Sequence, residues 1–238
     1  TDAVHLRQAW LGDLCSGRKR AGLALGGVRP GPRRLLATAT EQGWCLEGTV
    51  PWVTGWSLVD ALQVLAISPE EELLSVLVEA RPSNSLRATP HELVAANASH
   101  TVELAFVRHI VPFEHTLSRA PYVPPPAHDG GGRGNGSLAL GVISRACALL
   151  GASELDRQLV RCRDDLDRAS PETLARARAD AVELALRATS ALLVHAGSRS
   201  ISAGQQPQRL AREALFLSVF GSRPAIRAAL LERLVPAR

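Results

Sequence analysis

The proline run Pro124-Pro125-Pro126 and the glycine-rich stretch from Gly130 to Gly136 cannot pack a core, and together they divide the chain into halves of different periodicity. They predict a linker over 119–136. Before it, from Leu23 to about Leu117, short runs rich in β-branched and apolar residues are separated by Gly, Pro, Ser and Asn. The clearest are Gly43 to Val53, Ala61 to Ile67, Leu73 to Val78 and Thr101 to Ile110, which alternate or are continuously apolar. This pattern predicts a compact antiparallel β domain over 21–118.

After the linker the period lengthens. Leu138 to Leu150 is apolar enough for a central helix, and Glu154 to Arg168 reads as a polar one. Ser170-Pro171-Glu172 predicts a helix start, with a capping hydroxyl, a proline tolerated in the first turn and a carboxylate at the positive helix end. Leu174, Ala177, Ala181, Leu184, Ala188 and Ala191 then follow at steps of three and four, a seam of small residues suited to close helix packing. Helices over Pro207 to Phe220 and Pro224 to Val235, separated by Gly221, complete an expected antiparallel bundle over 137–238. At the other end, Val4, Leu6, Ala9, Trp10, Leu11 and Leu14 predict an amphipathic helix over Ala3 to Ser16, so that 1–20 reads as the end of a helical region. The fold class is α+β, an antiparallel β domain followed by a C-terminal helix bundle.

With 238 residues, 46% hydrophobic and 21% charged, the chain is expected to be a soluble globular protein. No apolar run approaches the roughly 20 residues of a membrane span, and Thr1 to Arg20 is too polar for a signal peptide, so a cytoplasmic location is expected. The chain has no methionine and opens on Thr1 in a helical pattern, which implies a processed chain or a fragment. Its net charge of +4 is spread over helix faces and aromatic residues are only 4%, which argues against a nucleic-acid partner. Cys15, Cys45, Cys147 and Cys162 lack metal or redox spacing and read as reduced, mostly buried thiols. The seven histidines are scattered, so no metal is expected. No nucleophile elbow, P-loop or dinucleotide fingerprint is present.

Four local patterns occur in an order that resembles the acyl-CoA dehydrogenase family. Gly43-Trp44-Cys45-Leu46-Glu47-Gly48 and Pro51-Trp52-Val53-Thr54-Gly55 are similar to the family's strand, turn and Trp-x-Thr element that meets the flavin. Thr101-Val102-Glu103-Leu104-Ala105-Phe106, leading to Ile110-Val111-Pro112, resembles the last strands of its β domain. Ser137 to Gly151 resembles the first long helix of its C-terminal domain. His195-Ala196-Gly197-Ser198, followed by Gln208-Arg209-Leu210-Ala211-Arg212-Glu213-Ala214, resembles its Gly-rich turn and Arg-x-x-Arg-Asp-Ala helix.

The resemblance implies FAD as cofactor, an acyl-CoA thioester as substrate, α,β-dehydrogenation as reaction, and a homo- or hetero-oligomer. It implies that Trp52 packs beside the isoalloxazine and that the Thr54 hydroxyl bonds near its N5. It makes Gly197, Ser198 and Arg199 candidate contacts to the dinucleotide of a neighbouring subunit. Their plainer readings are a core tryptophan, a turn threonine and a helix C-cap. Arg212 and Glu213 read as a structural ion pair with neighbours.

The chemistry needs a carboxylate to take the substrate's α proton. At one place where family members carry it, a Tyr-Glu-Gly-Thr element, this chain has Val219-Phe220-Gly221-Ser222. At another, on the first long helix, it has Gly141. The family's Thr-Glu-Pro turn is replaced by Ala24-Leu25-Gly26-Gly27-Val28, and most of the N-terminal helical domain precedes Thr1 or is supplied elsewhere. The catalytic base is therefore unidentified. Alternatives are a noncatalytic subunit of a heteromeric dehydrogenase, a flavin monooxygenase-like relative, or an interaction module without flavin.

Overall fold

A computed structural model of the chain describes residues 3–29, 34–123 and 132–235. They fall into two compact units, a β unit of residues 1–93 and 97–125 and a helical unit of 126–238 to which 94–96 are assigned.

The β unit opens on helix α1, Val4–Cys15. Eight strands follow among the described residues: β1 Ala21–Ala24, β2 Leu36–Thr40, β3 Gly43–Val53, β4 Ala61–Ile67, β5 Glu72–Glu79, β6 Leu86–Pro90, β7 Val102–Val111 and β8 Thr116–Pro121. They form one sheet in the order β6-β7-β3-β2-β4-β5-β8, with β1 joined to β4. Most pairings are antiparallel, as expected, but β1 and β2 each meet β4 in parallel. The sheet is therefore less uniform than an antiparallel meander.

Alternation explains the core. Trp44, Leu46, Val50 and Val53 of β3 are buried with Leu62, Val64 and Ala66 of β4 and with Leu104, Phe106 and Val111 of β7. Each buried face gains roughly 25 cal/mol per Å² of apolar area removed from water. Two hairpins fix the register. Between β2 and β3, Thr40 Oγ1 donates to the Gly43 carbonyl at 2.8 Å. Between β4 and β5, the Ser68 hydroxyl accepts from the Glu70 amide at 3.2 Å, an ST-type turn.

The helix over 4–15 forms, but only Leu6 of it is buried, and Val4, Leu11 and Leu14 stay exposed. Leu6 packs with Ala61 and Leu77 on the sheet, beside the partly buried Trp10. Gly26 and Gly27, in the turn after β1, are there for packing. A Cβ on Gly26 would stand 2.9 Å from the Pro51 carbonyl oxygen, and one on Gly27 2.8 Å from Leu35 Cβ.

Strand β8 runs on to Pro121 and the next helix opens at Gly132, so regular structure enters both ends of the 119–136 segment read as a linker from composition. The proline and glycine run over 124–131 lies outside the described residues.

The helical unit contains α2 Gly132–Leu150, α3 Glu154–Arg168, α4 Leu174–Ala196, α5 Gln206–Leu217 and α6 Pro224–Leu234. Ser153 and Asp156 make a capping box that starts α3 where its charge pattern begins. Regular helix α4 starts at Leu174, not at Ser170. Ser170 to Thr173 instead form a turn in which the Ser170 amide donates to Thr173 Oγ1 at 2.9 Å. Of the expected seam, Ala177, Ala181, Leu184 and Ala188 are buried, Leu174 is half-buried and Ala191 is exposed. The buried four pack with Ile143 and Ala146 of α2 and with Leu210 and Ala214 of α5. Of the cysteines only Cys147 is buried; Cys15 is exposed, Cys45 and Cys162 are half-buried, and all are free thiols. The expectation of mostly buried thiols is corrected accordingly, because α1 turns Cys15 toward solvent.

No helix among the described residues is long and apolar enough to cross a membrane. No cluster of three or more metal-ligating side chains occurs among them.

Candidate functional site

The end of β3 departs from regular pairing. Val50 faces Leu104 of β7 but Val53 faces Val102, so β3 carries one residue too many and bulges. Trp52 lies in that bulge with φ at +57°, a left-handed conformation that costs a residue with a Cβ on the order of 1–2 kcal/mol. A bulge re-aims a side chain, and here the indole is 59% exposed although it is large and apolar. It rests on the imidazole of His91, with ring centroids 4.6 Å apart and planes at 28°. His91 follows β6 directly and is anchored by its amide, which donates to the Thr101 carbonyl at 3.0 Å. Its Nε2 is buried without a hydrogen-bond partner.

Thr54 is exposed, and its Oγ1 lies 3.2 Å from that of the buried Thr101. Thr101 Oγ1 in turn lies 2.7 Å from Ser99 Oγ. The Gly55 amide donates to the Ser99 carbonyl at 2.8 Å, and Ser57 Oγ meets His100 Nδ1 at 2.8 Å. Ser57 and His100 also have positive φ, +67° and +47°. Three residues in costly backbone conformations within two crosslinked loops mark a local arrangement that the rest of the β unit holds in place.

In the helical unit, Gly197 closes α4 with φ +74° and ψ −166°, a region open almost only to glycine. Nothing lies within 4 Å of a Cβ built there, so backbone conformation and not crowding explains the residue. The buried Ser200 hydroxyl donates to the Gly197 carbonyl at 2.7 Å and fixes the following turn. Ser198 and Arg199 are exposed on it, and Arg199 has no ion pair among the described residues. Arg212 and Glu213 do not pair with each other: Glu213 pairs with Arg209 at 3.5 Å, and Arg212 donates to the Ala203 carbonyl at 2.9 Å.

Neither base position holds a carboxylate. Phe220 stacks on Phe216 with centroids 5.0 Å apart and is 38% exposed. The fully buried Arg178 of α4 donates to the carbonyls of Gly221 at 3.1 Å and Phe220 at 3.3 Å. Gly141 opens onto a groove of about 320 Å³ lined by Arg133, Ser137, Leu140, Ser144 and Arg163, where Arg133 donates to Ser137 Oγ at 2.6 Å. Such a lining is cationic and hydroxylic. It offers no group that removes a proton.

The structure thus brings Trp52 and Thr54 together at the end of β3, and Gly197, Ser198 and Arg199 together at one turn of the helical unit. His91, Ser99 and Thr101 join the first group and have no local sequence signal. Their partners are reached only through the pairing of β3, β6 and β7. An exposed indole held flat from behind, beside a hydroxyl with bonding capacity to spare, fits the edge of a flat heteroaromatic ring such as the flavin of FAD.

No protein-family model matches the chain, and no curated protein matches it in sequence. Solved structures do match its fold. Butyryl-CoA dehydrogenase from Megasphaera elsdenii superposes with a TM-score of 0.74 at 18% identity, over 100% of this chain and 73% of that one. Glutaryl-CoA dehydrogenase from Mycobacterium smegmatis in complex with FADH2 gives 0.70 at 18% identity, over 97% and 69%. Acyl-CoA dehydrogenase from Geobacillus kaustophilus gives 0.70 at 14% identity, over 96% and 72%. The architecture of this chain, an eight-stranded sheet and a helical bundle in that order, is the fold of the acyl-CoA dehydrogenases over the share of their length that it spans.

Proposed function

We propose that the chain is an FAD-binding oxidoreductase of acyl-CoA dehydrogenase type that takes an acyl-CoA thioester and works as a homo- or hetero-oligomer in the cytoplasm. The observation that carries this reading is the Trp52–Thr54 bulge, where a strained backbone keeps a large indole exposed within a fold shared with flavin-containing dehydrogenases. Trp52 would pack beside the ring and Thr54 would hydrogen-bond to it. Gly197, Ser198 and Arg199 would meet the phosphates of a neighbouring subunit's dinucleotide through a close backbone and a guanidinium without an ion pair among the described residues. When bound, FAD supplies the acceptor for hydride leaving the β carbon of the acyl chain.

Phe220 and Gly141 support a second reading. With no carboxylate at either position, the chain is suited to hold flavin and thioester without removing the α proton, as a noncatalytic subunit or an oxygen-using relative would. The visible spectrum of the purified protein, followed by anaerobic addition of mixed acyl-CoA thioesters, separates the readings. Flavin bands that bleach support dehydrogenation. Bands that persist support the second reading, and a colourless protein would overturn the FAD assignment itself.

A further inference from the structure

Behind Thr54 stands a row of hydroxyls. Ser99 Oγ lies 2.7 Å from Thr101 Oγ1, which lies 3.2 Å from Thr54 Oγ1. The middle member is 8% exposed, the outer one is exposed, and the inner one is half-buried. Two backbone bonds set the spacing, from the Gly55 amide to the Ser99 carbonyl at 2.8 Å and from the His91 amide to the Thr101 carbonyl at 3.0 Å.

A hydroxyl has one proton to give and two lone pairs, so such a row has two self-consistent settings. In one, Ser99 donates to Thr101, Thr101 donates to Thr54, and Thr54 directs its own proton outward. In the other, Thr54 donates to Thr101, Thr101 donates to Ser99, and Thr54 presents a lone pair outward. Exchange between them rotates three O–H bonds and moves no heavy atom. A flavin asks for both, because the ring nitrogen that receives hydride is a bare acceptor when oxidised and an N–H donor when reduced. A hydroxyl locked as donor suits only the first of these.

We propose that Thr101, backed by Ser99, is a positioning residue that lets the Thr54 hydroxyl donate to the oxidised flavin and accept from the reduced one. This rests on the FAD reading above. Replacing Thr101 by valine keeps its shape and removes the relay. In the reduced state, with the flavin lying over Thr54 and excluding water, the proton of Thr54 then has no protein acceptor, whereas in the oxidised state only a lone pair is left unused. An orphaned donor is the costlier loss, so reduced FAD is weakened more.

The test is the dissociation constant of the protein for FAD and for FAD reduced anaerobically with dithionite, in the parent, Thr101→Val and Thr101→Ser. In Thr101→Val the affinity for reduced FAD should fall roughly 3–10-fold relative to that for oxidised FAD, the span of one lost hydrogen bond. The two-electron midpoint potential should fall with it by about 15–30 mV. Thr101→Ser should stay within about twofold of the parent, which a purely structural role for the side chain does not require. If Thr101→Val does not give a cooperative thermal transition, Ser99→Ala breaks the row at its next bond and should shift the ratio in the same direction. An unchanged ratio in a folded variant overturns the relay and leaves the FAD reading standing. A parent that binds neither form of FAD overturns both.

Discussion

The indole of Trp52 and the imidazole of His91 stack with their centroids 4.6 Å apart. This contact holds an exposed side chain in one orientation, and aromatic pairs are worth about 0.5–1.5 kcal/mol beyond their area. His91→Ala should therefore weaken FAD binding roughly 2–10-fold. His91→Phe keeps the stack and removes a buried nitrogen without a partner, so it should match or exceed the parent's melting temperature. FAD titration and thermal melts of the two variants check both outcomes.

Replacing Trp52 and Thr54 together by alanine should lower the flavin-to-protein ratio of the purified protein by about tenfold, since the stacking surface and the polar contact go at once. Absorbance at the flavin and protein bands measures it. An unaltered ratio would remove both residues from the site.

Two glycines should respond in opposite directions. At Gly48, φ is +130° and a Cβ would stand 2.2 Å from the Arg34 carbonyl oxygen, a backbone atom that cannot step aside. Gly48→Ala should cost more than about 3 kcal/mol or prevent folding. At Gly141 in α2 nothing lies within 4 Å of a Cβ, so Gly141→Ala should stabilise the helical unit by about 0.5–1 kcal/mol. Urea unfolding of each variant measures the difference.

Burial pushes the Cys162 thiol up to about 11, with Asp180, Asp165 and Glu183 adding to the shift. Burial raises Cys147 as well, helped by Asp156. Thiolate is the reactive form, so at pH 8 iodoacetamide should modify the exposed Cys15 at least about tenfold faster than either. Peptide mass spectrometry over a time course ranks the three sites.

Burial lowers the pKa of His109, whose Nδ1 lies 2.9 Å from Ser85 Oγ. Below the ordinary value of about 6.5 the unfolded chain takes up a proton that the folded chain still resists. Stability is thus full above that value and falls as pH drops through it toward the depressed one. The melting temperature should decline more between pH 7.5 and pH 5.5 in the parent than in His109→Asn, and equal declines would show that this imidazole is not responsible.

Sequence was most informative where one face of an element is buried along its whole length. The alternation in Gly43–Val53 and the apolar run of Ala61–Ile67 mark β3 and β4 to the residue, and the charged pattern of Glu154–Arg168 does the same for α3. It was least informative for β1, β6 and β8, which are short, largely exposed strands that exist because a longer neighbour offers them hydrogen bonds. The start of α4 was placed early because Ser170, Pro171 and Glu172 satisfy a cap locally, yet the chain uses them for a separate turn. For the site, Trp52 and Thr54 stand out by local pattern. His91 and Thr101 do not, since a stacking ring and a relay hydroxyl are recognised only from what the β3–β7 register puts beside them.

The guanidinium of Arg178 grips the turn after α5 by two main-chain oxygens, those of Phe220 and Gly221. The backbone there is held through its carbonyls, while the Phe220 side chain is held separately by its stack on Phe216. Main chain and side chain at this position thus answer to different neighbours, the one to a buried cation of α4 and the other to an aromatic ring of α5.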